Sequence, residues 1–349
     1  MRYSLLEILA DPVSKTALRL EQSPSAEKGE ITEGALLSQD GNSYAITNGI
    51  PRFVLTEDNA QKQTEDSFGF KWAQRDSYES EQFLSNYHEW LRGKYGFASD
   101  LEMREFFGSK KRTLEVGCGG GLSASVSFSG RDQGQEWVGV DISRAIDIAR
   151  ERLGHIPSAH FLQADILQLP FQEQSFDAIF AEGVLHHTPS TKQAVKSLKP
   201  LLMPGGEILF YVYRKKGPVR EFTDDYIRDL VSPLSPREAW EALRPLTKLG
   251  QALAELHAEV EVPEDIPYLG IKAGRQDVQR LIYWNFAKLF WNSDFTFETN
   301  HHINFDWYHP RYAHRQTEED IRRWCGESGL RIIYLNEQES GFTVRAIRE

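Results

Sequence analysis

Cysteine is nearly missing: the 349 residues include two, Cys118 and Cys325. Far apart in the chain, they supply neither a disulfide framework nor a Cys-rich zinc site, and a reducing compartment fits. No eighteen apolar residues run together, so no segment has the length to cross a bilayer. The opening MRYSLLEILADPVSK is interrupted by Glu7 and Asp11, which breaks it too soon for a signal-peptide core, and a cytoplasmic protein is expected. Positive charge is also scarce. Forty Lys and Arg against 51 Asp and Glu leave a net charge of −11. Affinity for nucleic acid rests on cations that neutralise phosphates, so a broad polyanion-binding surface is disfavoured, although a local basic patch stays open. What is present is an ordinary globular composition, 40% hydrophobic and 26% charged, which allows a sizeable core. The length exceeds one compact domain and implies a main domain with at least one substantial addition.

From residue 112 the signals alternate: RTLEVG, EWVGVDIS, AHFLQAD, FDAIFAEGV and GGEILFYVY are β-rich, and helix-compatible segments such as 143–153 and 188–202 separate them. That alternation predicts an α/β fold, a doubly wound Rossmann-like parallel sheet with crossover helices. A Thr317-x-x-Asp320 cap then opens a helix, followed by the strand-like LRIIYLNEQ and FTVRAIR, so the sheet resumes near the end of the chain. The division expected is a small β-rich unit over 1–56, a polar helical lead-in over 57–108, the sheet domain over 109–213, an insertion over 214–316 and a completing helix and hairpin over 317–349. An insertion after a late strand leaves from the carboxyl ends of the strands, where open α/β sheets bind ligands, so 214–316 reads as a lid. Its second half holds eleven aromatics between Tyr283 and Tyr312, which suit either a core or an acceptor pocket.

The strongest local signal is Glu115-Val116-Gly117-Cys118-Gly119-Gly120-Gly121 directly after the strand Thr113-Leu114. Glycines let the backbone turn sharply and approach a ligand that a Cβ would obstruct. Alone, such a turn is shared by many nucleotide enzymes. Asp141 ends the second strand about 20 residues on, where a carboxylate accepts ribose hydroxyls. Asp165 ends the third strand, in reach of an adenine amino group. A NAD-binding domain would show G-x-G-x-x-G and has no use for the second aspartate.

Together with Phe176-Asp177-Ala178-Ile179-Phe180, GVLHHT and Leu201-Leu202-Met203-Pro204-Gly205-Gly206, this order resembles the class I S-adenosylmethionine-dependent methyltransferases, type 11-like, in the subgroup with GVLHHT after the fourth strand. The resemblance implies S-adenosylmethionine as cofactor. It implies that Glu115, Gly117, Gly119 and Gly121 meet the methionine end, Asp141 and Ile142 the ribose, Asp165 and Ile166 the adenine, with Glu182 a further cofactor contact. It also implies methyl transfer to oxygen, nitrogen or carbon of a small-molecule acceptor. Related quinone-type enzymes carry Glu-x-x-Glu-His as metal ligands; the matching positions here, Gly183, His186 and His187, lack both carboxylates, so no metal is expected.

The run LLEILADPVSK with YAITNGIPRFV resembles a zinc-ribbon module found beside methyltransferases, degenerate here because Asp11, Ser14 and the stretch Ser38 to Gly41 stand where two Cys pairs would be. Some RNA methyltransferases read RNA with such a ribbon, which keeps an RNA substrate as an alternative, as is a cofactor-binding protein without turnover that serves as a partner subunit. If the acceptor must lose a proton, His186 and His187 are the first candidates, with His301, His302, His309 and Tyr308 from the insertion behind them. Each histidine also suits a purely structural, hydrogen-bonded role. Arg214, Lys215, Lys216 and Arg220 form a basic cluster, read either as a solvated charge run or as an anchor for an acidic acceptor.

Overall fold

The computed structural model describes residues 1–349 apart from 22–23, 28, 55–57, 75–77, 80 and 129–133. The expected boundary at 56/57 and the far end of the first sheet-domain helix segment, GLSASVSFSGRDQ, lie outside the described residues. The amino-terminal unit opens with the short helix α1 (Tyr3–Leu6), then carries strands β1 (Arg19–Leu20), β2 (Ser25–Glu27), β3 (Glu30–Leu37), β4 (Ser43–Thr47) and β5 (Ile50–Pro51), paired antiparallel in the order β1-β3-β4-β5 with β2 on β3. Helices α2 (Asn59–Ala73), α3 (Glu81–Lys94) and α4 (Asp100–Gly108) lead into the main sheet.

That sheet has seven strands: β6 (Arg112–Val116), β7 (Glu136–Asp141), β8 (Ala159–Gln163), β9 (Phe176–Ala181), β10 (Leu202–Tyr213), and, after a long excursion, β13 (Leu330–Glu337) and β14 (Gly341–Arg348). Their order is β13-β14-β10-β9-β6-β7-β8, with β6 to β10 parallel and the last hairpin antiparallel. From β6 the chain runs outward to β7 and β8, then returns to the other side of β6 with β9. The strand order therefore reverses at β6, and a crevice opens at the carboxyl ends of β6 and β9. Leu114, Val116, Val138 and Val140 pack with residues of α7 (Thr191–Leu198) and α12 (Glu318–Glu327) in one core. On the opposite face Trp137 and Phe161 meet α6 (Ala145–Leu153), and Phe180 and Leu209 meet α3 and α4. Alternate side chains thus feed helices on both faces, the doubly wound arrangement expected. Between them, α5 (Leu122–Ser127) starts from Gly121, whose φ of +74° turns the loop into the helix.

The excursion holds α8 (Pro218–Val231), α9 (Pro236–Glu255), the hairpin β11 (Glu259–Val262) and β12 (Gly274–Asp277), α10 (Val278–Asn285) and α11 (Phe297–Tyr308). α9 begins with a Ser235/Glu238 capping box, and α12 with the Thr317/Asp320 box read from the sequence. No helix among the described residues is long and apolar enough to cross a membrane.

The amino-terminal unit shares its core with the sheet: Leu5, Leu9, Leu36 and Phe53 pack with Leu162 and Phe171. Phe53 N–H donates to the Gln163 carbonyl at 2.7 Å, and Arg52 pairs with Asp147. The unit thereby covers the outer edge of β8, which would otherwise expose unpaired backbone groups. Its own loops converge on one carboxylate. Buried Asp11 accepts from Val13 N–H (2.8 Å), Ser14 N–H (2.8 Å), Asn42 Nδ2 (3.1 Å) and the Tyr44 hydroxyl (2.8 Å). Burial alone would raise its pKa, but the four donors outweigh it and hold the group at about 2.

Candidate functional site

The crevice at the reversal point opens into one continuous cavity of about 650 Å³, within the range of small-molecule sites. Gly117, Asp141, Ile142, Asp165, Ile166 and Glu182 line it, so six of the expected cofactor positions meet on one surface. Gly117 makes the turn possible: its φ is +63°, and a Cβ there would fall 2.2 Å from Val184 Cγ2. Asp141 is fixed by its neighbours. Oδ1 accepts from Ser143 N–H (2.8 Å) and Ser143 Oγ (2.7 Å), and Oδ2 from Gly119 N–H (2.8 Å). Burial pushes its pKa up, and these bonds oppose the rise. One lone-pair direction on Oδ2 is left for a hydroxyl donor. Asp165 accepts from Leu167 N–H at 2.8 Å; burial raises its pKa, against the Leu167 and Gln61 hydrogen bonds.

Glu182 is held from behind. Lys94 Nζ pairs with its Oε1, and Tyr95 hydroxyl donates to Oε2 at 2.6 Å. Lys94 is itself buried, 3.3 Å from the Tyr211 ring centroid and 4.0 Å from that of Trp90. Burial lowers its pKa to about 8 despite Glu182. Neither Lys94 nor Tyr95 was legible as part of a site in the sequence.

Five expected site residues lie elsewhere. Glu115 is a correction: its side chain is buried, bonded to the Ser123 hydroxyl and to Trp137 Nε1 (2.9 Å), and does not line the cavity. Burial pushes it up to about 7, against those two bonds, and its role is to tie β6 to α5 and β7. Gly119 is covered by Trp72, since a Cβ at 119 would fall 2.3 Å from the indole, and Gly121 is the cap of α5. His186 is buried behind the cavity wall, its ring 3.7 Å from that of Tyr213 and 4.3 Å from that of His187, and burial holds its pKa well below the usual value. Tyr308, expected as a catalytic group, donates to Asp224 Oδ1 (2.9 Å) and accepts from Lys288 N–H (2.8 Å). Its hydroxyl is thus engaged as both donor and acceptor within residues 214–316, joining Asp224 to the Lys288 backbone.

His187 does reach the cavity. Its Nδ1 lies 2.6 Å from the Tyr312 carbonyl, and a carbonyl only accepts, so Nδ1 carries the proton and Nε2 presents a lone pair. Nε2 is buried, with no hydrogen-bond partner among the described residues. Burial lowers the pKa to about 4, the Asp306 charge and the Tyr312 bond notwithstanding, so the ring is neutral at physiological pH. Beside it Lys71 and Asp306 form an ion pair at 2.9 Å. Burial would raise Asp306, but Lys71 brings it down to about 2. His302, on the same wall, is lowered by burial to about 3.

Three helices supply most of the remaining wall by periodicity. Gln61, Thr64, Phe68, Lys71 and Trp72 of α2, Phe83, Asn86, Tyr87 and Trp90 of α3, and Thr299, His302, Ile303 and Asp306 of α11 all line it. Each set is spaced three or four apart and so shares one helix face. On α2 that face is largely polar, and a search for an apolar stripe passes it by; the available signal was the spacing itself. The far end is walled by Tyr283, Trp284, Phe290 and Trp307, with Lys216, Arg220, Arg280 and Lys288. Arg214 and Lys215 of the expected basic cluster do not line the cavity; Arg214 pairs with Glu337 at 3.0 Å and Lys215 is exposed.

Residues 114–210 match a family model described as "Methyltransferase domain". A human probable tRNA methyltransferase 9B is 34% identical over 139 residues, covering 36% of this chain and 28% of that protein. A phthiotriol/phenolphthiotriol dimycocerosates methyltransferase 1 from Mycobacterium ulcerans is 30% identical over 130 residues, 37% of this chain and 48% of that one. The chain thus spans less than half the length of these curated relatives. Among solved structures, an S-adenosylmethionine dependent methyltransferase from Mesorhizobium loti gives a TM-score of 0.44 at 16% identity, covering 76% of this chain and all of that one.

Proposed function

We propose that this chain, whose sheet domain is of the class I S-adenosylmethionine-dependent methyltransferase type, is an enzyme that passes the cofactor's methyl group to a small molecule held beneath residues 214–316. The observation that carries the reading is the continuity of the cavity. Strand-end carboxylates on one side and an aromatic, lysine-bearing wall on the other bound the same space. When bound, S-adenosylmethionine supplies an electrophilic methyl on a sulfonium. Asp141, with one acceptor direction open, holds a ribose hydroxyl; Asp165 receives the adenine amino group; Gly117 and Glu182 bound the methionine end.

The chain's own contribution is positioning and water exclusion, which supply much of the acceleration of a displacement at carbon. Trp72, Phe68 and residues of α11 line the space and narrow the room left for water around a bound acceptor. His187 accepts the proton of an acceptor hydroxyl or amine at Nε2, the nitrogen that the Nδ1–H bond to the Tyr312 carbonyl leaves unprotonated. Asp306 then stabilises the imidazolium through space, as its effect on the His187 pKa indicates.

A discrete acceptor is favoured over RNA by the aromatic-lined cavity and by the net charge of −11. The amino-terminal unit we read as a ribbon-like module in which Asp11 gathers the two loops that metal-binding versions clamp through thiolates. Calorimetry with S-adenosylmethionine and S-adenosylhomocysteine tests the core of the reading. Binding of both is expected, with Asp141→Asn weakening each roughly tenfold to a hundredfold, the span for a hydrogen bond to a charged group. No heat from the unmodified protein removes the proposal. Salt-resistant tRNA retention would transfer the acceptor to RNA, and binding without turnover on a broad acceptor panel would favour the partner-subunit reading.

A further inference from the structure

The charges at the far end of the cavity do not balance. Asp224 is fully engaged: Oδ2 accepts from Arg220 Nε (2.7 Å) and Trp307 Nε1 (2.8 Å), and Oδ1 from the Tyr308 hydroxyl (2.9 Å) and Lys288 N–H (3.3 Å). Asp306, the other nearby carboxylate, is matched by Lys71. Arg220, the partner of Asp224, makes a second bond to the Tyr283 carbonyl. Two lysines remain. Lys288 is 7% exposed, lines the cavity, and its Nζ lies over the Trp307 ring at 4.5 Å, with no carboxylate in ion-pair range among the described residues. Lys216 lines the same end; its Nζ donates to the neutral Glu339 carbonyl, and among the described residues it too has no ion pair. Arg280 stands at the rim, its Nη2 on the Trp291 carbonyl at 3.3 Å.

A buried cation without a counterion, such as Lys288, is costly, and proteins retain one where a ligand completes the pairing; Lys216, half-buried, adds a second cation at the same end. Around these cations stand Tyr283, Trp284, Phe290 and Trp307, flat apolar faces suited to the body of a hydrophobic ligand. We propose that the methyl acceptor is an anionic amphiphile, an apolar or aromatic body bearing a carboxylate or phosphate, and that its anionic group is anchored between Lys288 and Lys216. The proposal deepens the methyltransferase reading and rests on it for the word acceptor. The anion site itself stands or falls on geometry alone. Burial lowers both lysines to about 7; on Lys288 the Asp306 and Asp224 charges oppose the fall while Arg220 and Lys216 add to it, and on Lys216 Arg220 and Arg214 add to it while Glu221 and Asp224 oppose it. An oxyanion between them returns both to the charged form. The assignment also moves the expected anchor from Arg214 and Lys215, which lie outside the cavity, to one lysine of that run and one 72 positions further on.

The test uses three probes of one shape, 2-naphthoate, 2-naphthyl phosphate and 2-naphthamide, titrated into the full chain with and without S-adenosylhomocysteine and followed by quenching of tryptophan fluorescence. One or both anions should bind at least about tenfold more tightly than the amide, the margin of a charge-assisted pair over a neutral one. Lys288→Met, which keeps the length and apolar contacts of the stem, should erase that preference while leaving the amide's affinity within about threefold. Lys216→Gln gives an independent second reading should Lys288→Met fail to fold. The stronger of the two anions identifies carboxylate or phosphate. Equal affinities of acid and amide, no binding by any probe, or a preference that survives in both variants overturns the proposal. The Kd for S-adenosylhomocysteine, measured on the same samples, reports the cofactor half separately. An intact anion preference with no cofactor binding would retain this site and discard the methyltransferase reading.

Discussion

The two ends of the cavity are built on opposite principles. At the strand ends, the polar groups are largely satisfied by the protein: Asp141 by Gly119 and Ser143, Glu182 by Lys94 and Tyr95, Asp165 by Leu167. Under the insertion, among the described residues, His187 Nε2 has no hydrogen-bond partner and the Lys216 and Lys288 ammonium groups have no ion pair. A satisfied site is preorganised for one fixed ligand, since binding requires little rearrangement of the protein. An open one selects by what completes it, because a ligand lacking the complementary group leaves a buried polar atom unpaired. The difference teaches where specificity resides: the strand ends set what is bound in common with other sheets of this type, and the insertion sets what distinguishes this chain.

The change expected to do most damage tests the open end. His187→Ala should lower kcat by roughly 10² to 10⁴, the usual contribution of a positioned base, while S-adenosylhomocysteine affinity stays put. The pH profile sharpens the point. His187 is effective as a base only when neutral, and its pKa lies at about 4, below the ordinary 6.5. Activity limited by this group should therefore rise as pH climbs through about 4 and stay level across neutrality. A bend near pH 6.5 that vanishes in the variant would mean that the cavity is wet around His187. A variant with unchanged kcat would mean that positioning alone carries the reaction, and the two ends would differ less than their hydrogen bonding suggests.

How much of this was legible in the sequence follows the same division. The strand-end half is written locally, in seven residues from Glu115 to Gly121 and in aspartates that close apolar strands, so motif spacing places Gly117, Asp141 and Asp165 on one surface. Glu115 was misplaced because a strand residue next to a loop points to either face, and period alone does not say which; here Ser123 and Trp137 claim it. The other half is assembled from residues more than 200 positions apart, such as Lys71 with Asp306. No local pattern announces such a pair. The helical periodicity of α2 and α11 was available, but their cavity faces mix polar and aromatic side chains, so they resemble neither an apolar stripe nor a solvated face.

The satisfied principle recurs far from the cavity, at Asp11, which offers a milder test. Asp11→Ala removes an acceptor from four donors and should destabilise the amino-terminal unit by about 3 kcal/mol, given roughly 1 kcal/mol per net hydrogen bond and less where water replaces the partner. Its pKa of about 2 lies below the ordinary 3.8. A carboxylate depressed on folding contributes stability that is present above about pH 4 and lost as pH falls towards 2. Urea titrations of the unmodified protein at pH 6 and pH 3 should show a drop that is smaller in Asp11→Ala, the remainder belonging to other depressed carboxylates such as Asp306 and Glu30. Parallel curves would mean that the four donors find water equally well.

The smallest effect separates support from chemistry within the insertion. Tyr308 spans the gap between Asp224 and the Lys288 backbone, and neither Tyr308 nor Asp224 lines the space an acceptor would occupy. Tyr308→Phe keeps the buried ring and its packing, deletes one donor and one acceptor, and leaves Asp224 with Arg220 and Trp307 still bound. The cost should be about 1 kcal/mol of stability, the desolvation of a Lys288 N–H that retains a longer contact with Asp224. Because the Lys288 backbone shifts with it, acceptor KM should rise a fewfold while kcat and its pH profile hold. A large fall in kcat at constant KM would instead bring the phenol into the reaction, and a group from the insertion would then act chemically beside His187 of the sheet domain.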